Sequence, residues 1–205
     1  MTMTSDRTTI VVIVAHPREG SFNHAIAETA AGTLRDQGYE VIFHDLYREG
    51  FDPLLPDKEI PRDGDVDPVI LEHCGELRSC GGIIIVHPNW WGQPPAILKG
   101  WIDRVIRPGV AYEFEEYDSG EGVPVGLLAG KIAMVFNTSN TPEDREVTVF
   151  GDPLELLWKN CIFEFCGVSV FYRKMFRVII TSTSEQRSQW LSETGALVRK
   201  GFPVI

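Results

Sequence analysis

Long apolar runs are missing from this chain of 205 residues. None approaches the ~20 residues that a membrane-spanning helix needs, so no membrane insertion is expected. The first nine residues are polar, and the apolar run at 10–15 is too short for a signal peptide. The cytoplasm is therefore the expected location. Basic residues are scarce: 19 Lys and Arg stand against 29 Asp and Glu, a net charge of -10. That balance argues against nucleic acid or anionic membrane as a partner, and an anionic ligand would need a local positive site. Cysteines number four, at 74, 80, 161 and 166. Their separations do not match the short pairs of zinc sites, so free buried thiols are expected. His73 and Cys74 adjoin without further ligands nearby in sequence, and no metal is expected. The Gly-rich dinucleotide fingerprint and Gly-x-x-x-x-Gly-Lys are also absent. No repeat, linker or low-complexity segment divides the chain, so a single domain over 1–205 is expected.

What is present is an alternation of strand and helix patterns. The hydrophobic share of 43% suffices for a sizeable core. The run 8–15 is continuously apolar and β-branched, as in a strand buried on both faces. Ser21 opens a helix carrying Phe22, Ala25, Ile26, Ala30 and Leu34 at helical spacing, and Gly38 ends it. Further strands are expected at 39–45, 82–87, 131–136 and 168–175, and further helices at 68–78, 94–104, 153–166 and 184–200. The stretches 52–67 and 112–128 read as loop and irregular chain. Five strands separated by helices mean an α/β fold: a doubly wound parallel sheet with helices on both faces, of simplest order 2-1-3-4-5. In that order the loops after the first, third and fourth strands meet beside the switch point, where such sheets bind ligands.

Those loops hold the candidate residues. After the third strand come Pro88, Asn89, Trp90, Trp91 and Gly92. Two large rings on a loop suit a flat, conjugated ligand; equally, one could cap the core and the other fill a subunit interface. After the first strand come His16, Arg18, Ser21, Phe22 and Asn23. Ser21 can cap the following helix, whose free N–H groups and dipole favour a phosphate, with His16 and Arg18 adding charge. The plainer reading is a capping serine and a loop histidine. After the fourth strand come Asn137, Thr138, Ser139 and Asn140. Elsewhere the plain readings prevail. His24, His44 and Asp45 read as solvated, the acidic stretch 113–121 as a solvated loop, and Asp103–Arg104 as a helix-end pair or interface contact.

At this point a resemblance enters. His16-Pro17-x-x-x-Ser21-Phe22-Asn23, together with Pro88-x-Trp90-Trp91-Gly92 and Ala96-Ile97-Leu98-Lys99-Gly100-Trp101-Ile102-Asp103-Arg104-Val105, resembles the flavodoxin-like NAD(P)H:quinone reductases. Ala111-Tyr112-x-Phe114, Tyr117-Asp118-x-Gly120, Phe150-Gly151-Asp152 and Phe165-Cys166-Gly167 continue the match, over roughly residues 8 to 176. The resemblance implies a flavodoxin-like fold and a flavin, FAD ahead of FMN, with NAD(P)H as co-substrate. It places the flavin phosphates on His16, Ser21, Phe22 and Asn23, the ring on Pro88, Asn89, Trp90 and Trp91, and the ring's polar edge on residues 137–140. It implies a homodimer in which Tyr112 and Phe114 cover the partner's flavin. It also implies a two-electron reductase of quinones or similar conjugated acceptors, working by a ping-pong hydride mechanism. Backbone N–H groups around Trp91 and Gly92, with Thr138 and Asn140, would stabilise charge on the reduced ring. The alternative function is an ancillary electron-transfer or regulatory protein without its own substrate. The chain departs from mammalian members at two places, where their Tyr and His near the flavin fall on Asp144 and Phe150. The fourth loop is also Asn-Thr-Ser-Asn-Thr rather than Gly-rich. Tyr112, Phe114 and Phe150 are thus candidates for lining the substrate site.

Overall fold

A computed structural model describes residues 6–115, 122 and 124–205. In chain order the elements are β1 (Asp6–Val14), α1 (Phe22–Asp36), β2 (Glu40–Asp45), α2 (Pro68–Ser79), β3 (Cys80–Pro88), α3 (Ala96–Val105), β4 (Tyr112–Phe114), β5 (Pro124–Gly126), β6 (Ile132–Ser139), α4 (Glu143–Thr148), α5 (Pro153–Glu155), β7 (Val170–Arg177) and α6 (Ser184–Gly201). Five strands form one parallel sheet in the order β2-β1-β3-β6-β7. Counted along that sheet, this is the expected order 2-1-3-4-5.

The strands read as unbroken apolar runs because both sheet faces are covered. Alternate residues point to opposite faces. From β1, Val11 and Ile13 join Ile83, Ile85, Ala133 and Val135 beneath Leu77, Leu98 and Trp101 of α2 and α3. Ile10, Val12 and Val14 join Ile84, Val86, Met134 and Phe136 beneath Ile26 and Leu34 of α1 and Val198 of α6. The loop ahead of α2 is anchored by an inward ion pair. Arg104 of α3 donates from Nε to Glu59 Oε2 at 3.0 Å and from Nη2 to Oε1 at 2.6 Å. A bidentate pair of this kind is worth having only with both partners in place.

Several sequence expectations are corrected. Residues 112–114 and 124–126 are not irregular but pair as an antiparallel ribbon, with strands too short and proline-edged to show periodicity. Tyr117, Asp118 and Gly120 lie outside the described residues. The helix expected at 153–166 is α-helical only over Pro153–Glu155, then winds wider as a π-helix over Leu156–Glu164, burying Trp158, Ile162 and Phe163 together. Its outer face leaves Cys161 exposed, whereas Cys74, Cys80 and Cys166 are buried and in no disulfide. Prolines 94 and 95 stand before α3 rather than inside it. Asp103 pairs with Lys99 one turn back, because Arg104 is turned inward to Glu59. Among the described residues no helix is long and apolar enough to cross a membrane.

Candidate functional site

The loops after β1 and β3 and the end of β6 converge, as the strand order requires. They form a polar cradle of about 250 Å³ lined by His16, Arg18, Ser21, Phe22, Asn23, Pro88, Asn89, Trp90 and residues 138–141. Ser21 is the N-cap of α1, its hydroxyl accepting the His24 N–H. Asn23 is buried, and its side-chain amide donates to the Thr138 hydroxyl at 3.0 Å, tying α1 to β6. His24 is also buried rather than solvated. Its Nδ1 lies 2.7 Å from Ser21 Oγ and its Nε2 3.0 Å from Asp45 Oδ2. Asp45, read from sequence as solvated, is buried in the same chain of contacts. The Ser21 hydroxyl is thus oriented from behind by a histidine of α1 that is tied to Asp45 at the end of β2.

Charge in the cradle is distributed differently from expectation. Burial pushes the His16 imidazole below its ordinary value, so at neutral pH it is a neutral hydrogen-bonding ring. A cation that the sequence reading missed takes its place: Arg187 of α6 lines the cradle, and its guanidinium is held by Ser182 Oγ and the Ile179 carbonyl. Arg187 lies near the N-terminal end of α6, where the helix dipole disfavours a cation. That local conflict was the available signal. Arg18 and Arg187 give an acidic protein one locally positive concavity that opens on the N-terminus of α1.

Asn89 and Thr141 are shared with a larger cavity of about 530 Å³, also lined by Trp91, Gly92, Arg145, Glu146, Phe150 and Pro153. Trp91 stands fully exposed in a left-handed conformation, φ 58°, which costs a bulky residue free energy. Gly92 follows at φ 73°, and a Cβ there would lie 2.7 Å from Pro153. The turn is closed by reciprocal backbone bonds between Trp90 and Gln93, and by the Gly92 N–H donating to Asn89 Oδ1 at 2.9 Å. The Gly92 N–H is therefore spent, leaving the Trp91 N–H without a partner among the described residues. Thr138 and Asn140 have other duties as well, the first with Asn23 and the second accepting the Ile180 N–H.

Asn137 does not face the cradle. It lies within β6, one residue before Thr138, so its side chain emerges on the opposite face. There it donates to His87 Nε2 at 2.8 Å and accepts from Arg173 Nε at 2.8 Å. His87 is wholly buried, and burial pushes its pKa down to about 4. Neutral, it donates from Nδ1 to the Pro88 carbonyl and accepts from Trp158 Nε1. Arg173 continues to Asp152, bidentately at 2.8 Å, and to Glu155. This network ties the base of the loop after β3 to the Phe150–Asp152 turn, and Asp152 itself is left-handed at φ 45°.

Tyr112 and Phe114 line neither cavity. They line a separate one of about 370 Å³ with Leu55, Ile60 and Arg62, and Phe114 is exposed. His44 also departs from its sequence reading. His44 is largely buried, bonded through Nδ1 to Glu49 and through Nε2 to Glu76, and its ring stands 4.1 Å from that of His73. His44, Glu49 and His73 thus approach one another closely, which the sequence spacing did not disclose. His73 Nδ1 accepts from Trp101 Nε1.

Comparison with known proteins adds to this geometry. Residues 8–194 match the family described by a flavodoxin-like fold. An uncharacterized NAD(P)H oxidoreductase of Haemophilus influenzae is 34% identical over 77% of this chain and 78% of its own length. A human ribosyldihydronicotinamide dehydrogenase [quinone] is 30% identical over 87% of this chain and 85% of its own. Among solved structures, the NAD(P)H:quinone oxidoreductase of Methanothermobacter marburgensis shares the fold, with a TM-score of 0.80 at 22% identity over 95% of this chain and 96% of its own.

Proposed function

The chain belongs to the flavodoxin-like family, and on that footing we propose that it is a flavin-dependent NAD(P)H oxidoreductase reducing quinones or similar conjugated acceptors. The observation that carries this reading is the junction of two unlike cavities. A polar, locally cationic cradle meets, at Asn89 and Thr141, a cavity bordered by an exposed Trp91. A ligand with a phosphate at one end and a flat ring at the other fits that pair. Ser21, Asn23, Arg18, Arg187 and the N-terminus of α1 would hold the phosphate; Asn89, Trp90 and Trp91 would hold the ring. The sequence expectation ranked FAD above FMN, but the cradle addresses the phosphate common to both and gives no ground for the ranking. When bound, the flavin supplies two-electron hydride chemistry between a reduced nicotinamide and an acceptor.

The protein's part is positioning. Trp91 and Phe150 bound a single cavity, so nicotinamide and acceptor use it in turn, which gives ping-pong kinetics. The unpartnered Trp91 N–H offers a donor to the ring. Neither neutral His16 nor buried His87 borders that cavity, and among the described residues none that does is a histidine or tyrosine. A second copy of the chain would give exposed Phe114 and its neighbour Tyr112 a role over the partner's cavity. We include the homodimer in the proposal, with an interface of about 2,000 Å² or more in total. Purified protein should carry a flavin absorbance band, oxidise NAD(P)H with menadione as acceptor, and sediment at twice the chain mass. A colourless protein that neither takes up added FMN or FAD nor oxidises NAD(P)H overturns the reading.

A further inference from the structure

Glu146 is the one buried residue of α4. Val147 beside it is about half exposed, and Glu143, Asp144, Arg145 and Thr148 are exposed, whereas Glu146 is 1% exposed. Its backbone is fully used: the N–H donates to the Pro142 carbonyl and the carbonyl accepts the Asp152 N–H. One carboxylate oxygen, Oε1, accepts from Asn89 Nδ2 at 2.9 Å. The other, Oε2, is buried and has no hydrogen-bond partner. A buried carboxylate oxygen ordinarily finds donors, because losing water without replacement is costly. Glu146 borders the larger cavity beside Trp91, Gly92 and Phe150. Asn89, whose Oδ1 is fixed by the Gly92 N–H, has a second Nδ2 hydrogen with no partner among the described residues. Both side chains border the same cavity, one with an unsatisfied acceptor shut off from solvent and the other with an unsatisfied donor.

We propose that Glu146 Oε2 and Asn89 Nδ2 together read an amide-type edge of the ring bound there, with Glu146 accepting from its N–H and Asn89 donating to its carbonyl. The inference rests on the proposed flavin function and refines it. Two ligands of such a site carry this edge: the imide of an oxidised flavin ring and the carboxamide of nicotinamide. Quinones carry no N–H, so Glu146 contributes to holding the ring or the nucleotide and not to holding a quinone. A charge-assisted hydrogen bond is worth about 10- to 100-fold in affinity.

The test compares ligands with and without the N–H. Apo-protein is titrated with FMN and with N3-methyl FMN, following quenching of flavin fluorescence. Flavin-loaded protein is mixed with NADH and with reduced 3-acetylpyridine adenine dinucleotide, whose methyl ketone replaces the carboxamide, and dissociation constants come from stopped-flow reduction. Wild-type protein should prefer the N–H ligand by about 10-fold or more in one of the two arms, and that arm names the source. Glu146→Gln, nearly isosteric but unable to accept from both donors, should bring the preference in that arm close to one. The proposal is overturned if neither arm discriminates, or if Glu146→Gln keeps the full preference, which would make it steric. Should the variant fail to fold, 3-deaza FMN, which puts a C–H of the same size in place of the N–H, takes its place in the flavin arm, and binding as tight as that of FMN would make the preference steric; in the nucleotide arm the methyl and amino groups are already of similar size. Wild-type protein that binds no flavin at all takes down the functional reading; one that binds FMN and N3-methyl FMN alike, and both nucleotides alike, takes down this inference alone.

Discussion

Raising the pH should weaken this protein through one histidine. Burial alone would push His44 down, but hydrogen bonds to Glu49 and Glu76 outweigh it and hold the imidazole at about 9. In the unfolded chain it titrates near ~6.5. A folded value above the unfolded one means that the folded state binds the proton more tightly. The stabilisation is therefore fully present below about pH 6.5, declines as pH rises, and is gone once the folded group has titrated at about 9. The gap corresponds to about 3 kcal/mol, and exposure of Glu49 to solvent cuts it to about 2 kcal/mol. His73, packed against His44, is held below its ordinary value by burial first and by the charge on His44 second, so it stays neutral through this window. Urea unfolding of wild type and His44→Gln, run at about pH 6 and again near pH 9.5, reads the effect directly. Their stabilities should differ by about 2 kcal/mol at the lower pH and by a few tenths at the higher. A difference that is constant across that range, or that widens with alkali, refutes the reasoning.

Other perturbations test separate parts of the structure. Ser21→Asp sets a negative charge in the polar cradle proposed to hold the flavin phosphate and should give folded protein with little flavin; a full flavin complement speaks against that assignment. Glu59, held below the usual carboxylate range first by its hydrogen bonds with Arg104, stabilises the fold above that range and ceases to as pH falls through its lowered value. Glu59→Gln should cost about 3 kcal/mol at neutral pH, measured by thermal unfolding, and an unchanged midpoint would show the pair to be dispensable. Phe150→His introduces a proton donor at the cavity wall, where general acid assistance is typically worth about 10²- to 10⁴-fold. Stopped-flow half-reactions should show faster quinone reduction with little change in flavin reduction; equal effects on both halves would mean that the residue only packs.

Much of the fold was legible because its cause is local. A strand buried on both faces must be apolar at every position, so β1 and β3 stand out without alternation. Ser21 and Gly38 punctuate α1 by chemistry that needs no tertiary context. The ribbon of β4 and β5 failed on the same ground, since three-residue strands carry no period to read. The π-helical segment failed for the opposite reason: Trp158 within it bonds to His87 on a strand far away in sequence, a contact that no local period announces.

The site divides along the same line. Residues placed by their own loop, such as Ser21, Trp90 and Trp91, could be set beside these two cavities from sequence because turn, cap and ring lie within a few positions. Residues whose role is made by a distant partner could not. His24 looked solvated because Asp45, its partner, lies at the end of β2 and not on its own helix. Asn137 looked like a ligand because the end of β6 was placed three residues too early, and in a strand one residue decides the face. Glu146 showed nothing in sequence beyond one acid among several. Its meaning comes from Asn89 on the ring loop and from the burial of an oxygen that nothing in the described chain satisfies. Long-range pairing is therefore where function stays hidden here, and the orphaned carboxylate oxygen is an observation that only the folded chain provides.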